Sequence, residues 1–399
     1  MNKAVLEKYL AMYQNELFNS CVPFWVRSEM LDRENGGIFT SLTREGKVYS
    51  RDKSVWCQGR CLWTFSRLTG LYGERAEWRE IMDSCKRFLD EYCLDEDGRM
   101  FFLVTEDGRP LRKRRYFFSE TFYIIGSAEY ALATGDRKAL EDARRVWKSV
   151  MDIHRDPASD PFKIHPKVYS STRPTRAFAN PMILLNVTDV MRRCDPANNA
   201  LSEATAQELA TEIIRYFVKD EEKLVLESVG MNGEFLKDSS TTRVLNPGHA
   251  IEGSFFLMNQ AEHTGDEALF QKALDMMNWS LEAGWDKEYG GIVYYVDALG
   301  LPVVELEANL KLWWQHNEAI CATLCAWKHT GDEQYFEWFE RLTEYSFSHF
   351  PDREYGEWYG YLCRDGSVSA DYKGSIYKGP FHTLRMLLTV CMLLEECLR

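Results

Sequence analysis

Thr69-Gly70, Thr134-Gly135-Asp136, Thr264-Gly265-Asp266 and Thr330-Gly331-Asp332 punctuate this chain at intervals of 65, 130 and 66 residues. The copy missing from the long interval falls near residue 199, where Asp195-Pro196-Ala197-Asn198-Asn199 also reads as a turn. Six units of about 65 residues account for the 399 residues, and a fixed period of this length signals a repeat architecture.

Each unit reads alike. An apolar helix of roughly 15 residues ends at the Gly turn, where a residue tolerating φ > 0 closes it. Asp then caps a second, more charged helix, as in Asp136–Asp152 and Asp266–Ala283. Polar loops with strand-like pieces follow. Gly36-Gly37-Ile38-Phe39-Thr40 before Arg44-Glu45-Gly46, Gly290-Gly291-Ile292-Val293-Tyr294, and Gly356-Glu357-Trp358-Tyr359-Gly360 before Arg364-Asp365-Gly366 read as short hairpins. The first helix of each pair, such as Phe118–Ala133 or Ile251–Ala261, is apolar nearly all round and belongs inside. The second is amphipathic and belongs outside. The pattern predicts an all-α fold, an (α/α)6 toroid with short β-hairpins in its loops, formed as a single barrel over residues 1–399. A seven-unit toroid or an open solenoid fits the length less well. Asp95-Glu96-Asp97-Gly98 lacks the further ligands of a calcium loop and reads as a turn.

A net charge of −13 disfavours nucleic acid and anionic membrane surfaces as partners. No apolar run reaches the roughly 18 residues of a membrane span. Met1–Tyr13 reads as an amphipathic helix rather than a signal peptide. The 11 cysteines are odd in number and form no CxxC pair, so reduced thiols in a cytoplasmic protein are expected. The 12 Trp, 20 Tyr and 22 Phe serve mainly as core, although apolar sugar faces also stack on such rings.

Parallel inner helices bring their N-termini to one end of a toroid. Asn246-Pro247-Gly248-His249 opens the fourth, with Asn246 as cap and Pro247 in the first position. Lys378-Gly379-Pro380-Phe381-His382 opens the sixth, with His again two residues after Pro. A helix N-terminus disfavours imidazolium, so both His249 and His382 are expected to be neutral and able to accept a proton. Glu252 and Glu318 share a register, each 12 residues before the Thr of its turn. Arg60 and Glu120 enter from two other inner helices. A lone His in an apolar helix is more often a satisfied core residue, but two at equivalent places argue for a site. Glu120, Glu252 and Glu318 fit equally well as braces, and Arg60 as an ion-pair partner. His154, His165, His263, His329 and His349 fall on outer helices or turns and read as solvated. No zinc spacing, phosphate loop or dinucleotide fingerprint occurs, so no metal or bound cofactor is expected.

These stretches resemble the N-acylglucosamine 2-epimerase family, the group that includes the mammalian renin-binding protein. The resemblance runs from about Met12 to Arg385. Asp32-Arg33-Glu34-Asn35-Gly36-Gly37, Val55-Trp56-Cys57-Gln58-Gly59-Arg60, Phe118-Ser119-Glu120-Thr121-Phe122-Tyr123, Asn246-Pro247-Gly248-His249-Ala250-Ile251-Glu252, Lys311-Leu312-Trp313-Trp314-Gln315-His316-Asn317-Glu318-Ala319 and Lys378–His382 carry it. It implies an (α/α)6 barrel that interconverts N-acetylglucosamine and N-acetylmannosamine. It implies His249, His382 and Arg60 as catalytic residues; Glu252, one turn beyond His249, is a further catalytic candidate that would orient a histidine. Glu318, Glu120, Trp314, His316, Tyr123 and Trp56 are then the candidates for sugar contact. The Trp-Trp-x-His-x-Glu pattern resembles the acylglucosamine branch more than relatives that epimerise cellobiose or isomerise mannose. Gln315 and Asn317 depart from the Pro and Ser of the mammalian enzymes. The resemblance also implies ATP as an effector and a homodimer.

The implied chemistry needs an open-chain sugar, because hydrogen on C2 is acidic only beside a free aldehyde. Two bases on opposite faces, or one base and a rotated intermediate, then invert the centre. Two rival readings stay open. A glycoside hydrolase would use a carboxylate pair such as Glu252 and Glu318. A sugar-binding protein would hold the same ligand without turning it over.

Overall fold

The computed structural model describes residues 3–113, 116–161, 169 and 171–399. Twelve helices of 14 to 19 residues carry the chain among these. In chain order the first six are α1 (Lys3–Glu16), α2 (Val55–Tyr72), α3 (Ala76–Tyr92), α4 (Phe118–Thr134), α5 (Arg137–Arg155) and α6 (Ala179–Cys194). The others are α7 (Asn199–Phe217), α8 (Pro247–Thr264), α9 (Glu267–Gly284), α10 (Trp313–Thr330), α11 (Glu333–His349) and α12 (His382–Leu398). The even-numbered helices are inner. Each packs on the next, and α12 packs on α2, so the ring closes. Each odd-numbered helix from α3 to α11 packs on the inner helix before it, and α1 packs on α12. The fold is the expected (α/α)6 toroid. No helix among the described residues is long and apolar enough to cross a membrane, and none of the eleven cysteines is in a disulfide.

The turn chemistry follows the repeat with one displacement. Gly135, Gly265 and Gly331 close α4, α8 and α10 in the left-handed conformation, at φ of 79°, 69° and 69°. Asp136, Asp266 and Asp332 then cap the next helix by accepting from the backbone N–H of Ala139, Leu269 and Gln334. In the first unit, however, α2 runs through Thr69-Gly70 and is closed by Gly73, whose φ is 86°. A helix accommodates Gly70, whereas the chain reverses only where Gly73 supplies a positive φ. The loops carry the short strands expected after Gly36 and Gly356: Ser41–Leu42 pairs with Val48–Ser50, and Tyr361–Leu362 with Val368–Ala370. The third expected hairpin does not form on itself. Val296–Asp297 pairs instead with Val244–Leu245. His165 lies outside the described residues.

A second repeat, not legible as a motif, holds these loops. Leu31, Leu94, Trp285 and Pro351 each make one β-bridge, to Ile38, Met100, Ile292 and Trp358. An Asp follows each of the four, and its carboxylate meets a lysine ammonium: Asp32 with Lys53 at 2.7 Å, Asp95 with Lys113 at 2.6 Å, Asp286 with Lys311 at 3.3 Å and Asp352 with Lys373 at 3.1 Å. Lys113 also binds Asp97 at 2.6 Å, so the calcium-like stretch is a lysine-bound turn. Lys53, Lys311 and Lys373 are fully buried. A buried charge is tolerated only while its partner stays. Replacing Lys53 by Met should therefore cost about 3–5 kcal/mol, because the Asp32 carboxylate is left uncompensated. The double variant Asp32→Asn, Lys53→Met should regain most of that loss, and comparing chemical denaturation of the two variants checks it.

Candidate active site

Counting back from the residue that closes each inner helix reveals how the site is built. Thirteen residues before Gly73, Gly135, Asp195, Gly265 and Gly331 stand Arg60, Phe122, Met182, Glu252 and Glu318. Four of them line one cavity of about 620 Å³ at the N-terminal end of the inner ring, and Arg385 of α12 joins them. Glu318 lies just beneath the wall. One helical turn earlier, His249 and His382 face the same cavity, each three residues before its partner in this layer, Glu252 or Arg385. Because the inner helices are buried on every other side, this rim is where polar side chains reach open space.

Arg385 organises the layer. Its Nη2 donates to Glu252 Oε1 at 2.5 Å and lies 2.6 Å from Glu318 Oε1. The two carboxylates hold its guanidinium in the charged form. Glu252, Glu318 and His382 also present ligand-type atoms within 4.8 Å of one another, a spacing that suits a metal ion. The Arg385 guanidinium already bridges both carboxylates and supplies the positive charge there.

The two histidines are held alike but sit in opposite electrostatic surroundings. His382 Nδ1 is 2.9 Å from Glu318 Oε1, and His249 Nδ1 is 2.9 Å from Glu227 Oε1. Neither Nε2 has a hydrogen-bond partner among the described residues. Burial, then Arg60 and Arg385, push the His382 imidazole well below the usual histidine range. Burial also acts downward on His249, but the Glu227 carboxylate outweighs it and raises this imidazole above the usual range. Helix position disfavours charge on both rings, but at His249 a carboxylate 2.9 Å away acts against that partial helix charge. The Trp314 indole lies between the rings, 5.1 Å from His249 and 6.0 Å from His382 by centroid.

Arg60 completes the group. Its Nη1 donates to the Tyr377 carbonyl at 2.9 Å, and its buried Nε has no partner. It makes no ion pair among the described residues. Its guanidinium sits 4.1 Å from the Phe122 ring centroid, and burial pushes it down to about 10. Trp56 lines the same wall and donates from Nε1 to Ser119 Oγ at 3.1 Å.

Three expected sugar contacts lie elsewhere. Glu120 Oε1 accepts from Arg99 Nε at 2.7 Å and from the Met100 backbone N–H at 2.8 Å. His316 is fully buried, accepts from the Ile292 N–H at 2.9 Å and donates to the Leu312 carbonyl at 2.7 Å. Burial holds it neutral, down to about 3. Gln58 does the same work, accepting from the Ile38 N–H at 2.9 Å. Gln58, Glu120 and His316 each stand fifteen residues before the closing Gly, on the side facing the loops, and satisfy the N–H of a bridge residue. Tyr123 points outward, its hydroxyl donating to Asp90 on α3 at 2.8 Å. Two residue changes along a helix rotate a side chain by about 200°, which separates the cavity register from this brace register. Away from the site, His154 pairs with Glu212 and is mostly buried rather than solvated, and His263 and His329 end inner helices, not outer ones.

Residues 37–382 match the N-acylglucosamine 2-epimerase (GlcNAc 2-epimerase) family. The chain belongs to that family. The N-acylglucosamine 2-epimerase of Bos taurus is 36% identical to this chain over 372 residues, covering 92% of it and 86% of the bovine protein. A cellobiose 2-epimerase of Bacteroides fragilis is 25% identical over 396 residues, covering 94% and 96%. The structure of cellobiose 2-epimerase from Spirochaeta thermophila shares the fold, with a TM-score of 0.85 over 99% of both chains at 21% identity.

Arg385, Tyr294 and Glu307 also line the cavity, Glu227 joins the site through His249, and the sequence reading missed all four. Arg385 had a signal, since it lies one turn beyond His382. Glu227 had none, because it approaches His249 through a loop. As braces, Glu120 and His316 should matter for stability more than for turnover. Glu120→Gln and His316→Ala should lower the melting temperature by several degrees, while kcat of the folded fraction stays within about tenfold. A loss comparable to that of a positioned acid–base group, on the order of 10²-fold or more, would make them sugar or catalytic contacts after all.

Proposed function

We propose that this chain, read as one catalytic unit over residues 1–399, is an isomerase interconverting N-acetyl-D-glucosamine and N-acetyl-D-mannosamine at C2 of the ring-opened sugar. One observation carries the reading: two imidazoles open onto one cavity, each anchored through Nδ1 to a carboxylate with Nε2 left unpartnered. Family membership and the 36% identity to an N-acylglucosamine 2-epimerase, against 25% to a cellobiose 2-epimerase, support the choice of sugar.

In one direction, neutral His382 takes the C2 proton on Nε2. The C2–H electron pair becomes the C1–C2 double bond, and the carbonyl pair moves onto O1. Arg60, with no carboxylate of its own, stabilises that oxygen. His249 then donates its Nε2 proton to the other face of C2 as the carbonyl re-forms. The proton count is unchanged, but the pair's proton now rests on His382. Trp314, between the two rings, and Trp56 offer faces for the sugar's apolar side. The sequence makes no demand for a cofactor or metal in these steps.

The hydrolase alternative is poorly served. Glu252 and Glu318 share a single guanidinium rather than flanking a bond with room for water. Cytoplasmic location is supported by the free, mostly buried cysteines. ATP as an effector and a homodimer rest on the family resemblance alone.

The test is proton exchange at C2 in deuterated water. His249→Asn and His382→Asn should each lower net epimerisation by at least about 10²-fold while sugar binding and melting temperature change little. Each should retain exchange without inversion in a different epimer. Near-normal epimerisation by either variant would favour one base with a rotated intermediate, and faster turnover of cellobiose would move the chain to the other branch. The pH profile should be bell-shaped. His249, raised above its ordinary 6.5, must hold its proton, so activity is present below its pKa and lost as pH rises through it. His382, pushed far down, must be free of one, so activity falls only in acid well below 6.5.

A further inference from the structure

We infer that Glu227 is a positioning residue whose uncompensated carboxylate fixes the His249 ring and keeps the proton shared by the two histidines on His249 in the free protein. This rests on the histidine-pair reading above and gives that pair an order: one ring begins as the acid, the other as the base.

The two supporting carboxylates are not equivalent. Glu318 is 1% exposed by side chain and is shared between His382 Nδ1 and Arg385 Nη2, so a guanidinium balances its charge. Glu227 is 24% exposed and meets no lysine or arginine among the described residues. Its charge acts on His249 and, by disfavouring their ionisation, on the Tyr294 and Tyr295 hydroxyls. It is also firmly placed. The Phe178 N–H donates to the Glu227 carbonyl at 3.0 Å, and the Leu226 N–H to the Phe217 carbonyl at 3.0 Å. The next residues, Ser228–Gly230, pair with Thr175–Ala177. The loop that delivers the carboxylate is therefore tied to the end of α7 and the start of α6, and it reaches α8 through His249.

The other groups around His249 do not reverse this. Glu252 lies one turn along the same helix and acts in the same direction as Glu227. Tyr294 and Glu307 line the same cavity, and the Trp314 ring centroid lies 5.1 Å from that of His249. Arg60 and Arg385 bear on His382, where they oppose a positive charge. Both electrostatic surroundings thus favour one arrangement, His249 protonated and His382 neutral. After C2 inversion the proton sits on the less favourable ring and returns through water, which resets the pair. Environments that drive two titratable groups apart assign acid and base roles in this way.

The experiment is Glu227→Gln, which keeps a hydrogen-bond acceptor for Nδ1–H but removes the charge. NMR titration of the imidazoles should show the His249 transition moving down by about one unit or more. The alkaline limb of kcat/KM with N-acetylmannosamine should move down by the same amount, with the acid limb and the melting temperature little changed. Glu227→Asp, which restores the charge, should recover most of both shifts. An unchanged His249 titration and an unchanged alkaline limb in a Glu227→Gln protein that still epimerises would overturn the inference. If Glu227→Gln does not fold, a Glu227→Asp protein whose His249 titrates at the usual histidine value would overturn it equally. Failure of the unsubstituted protein to exchange C2 hydrogen with either sugar would sink the histidine-pair reading instead, and the imidazole titration would still decide the link between Glu227 and His249.

Discussion

Arg385 is the keystone of this structure. It draws Glu252 of α8 and Glu318 of α10 onto one guanidinium that itself belongs to α12. Three inner helices are thereby fixed in mutual register by largely buried charges, where a missing partner would be strongly destabilising. The consequence for chemistry is immediate. With α12 locked, His382 meets the same Glu318 oxygen, Oε1, that Arg385 meets, and presents its other nitrogen to the cavity.

The same logic of register explains which polar residues face the sugar-sized space and which do not. Inner helices are enclosed by two ring neighbours and an outer helix, so near the loop end two registers decide where a polar side chain goes. One leads to the axis, thirteen residues before the closing residue. The other leads to the loop layer, two residues earlier, where Gln58, Glu120 and His316 satisfy backbone N–H groups. His316 shows how chemically suggestive a brace can be. An imidazole whose two nitrogens are both occupied by backbone groups has nothing left to offer a ligand.

The toroid, the pairing of helices and the two histidines were legible because periodic turns and apolar runs are local properties of the chain. Arg60 was legible as a residue but not as a member of the layer, since Thr69-Gly70 resembles a closing turn and Gly73 is the residue with positive φ. Counting from the wrong glycine hid its equivalence with Glu252 and Glu318. The difference between Glu120 and Glu252 was not legible, because both are acidic residues near the start of an apolar helix and two positions of offset decide the matter. The Asp–Lys loop pairs and Glu227 were invisible for a different reason. Each joins segments about 20 residues apart through side chains, and no spacing rule connects them until the loops are folded.

The ring is closed by α12, and α12 is made after every other helix described here. Without α12 the Glu252 and Glu318 carboxylates would lose the guanidinium they share, and like charges so close together repel. The same helix carries His382, so the contact that balances the charge on the axis and the second imidazole at the cavity arrive on one element.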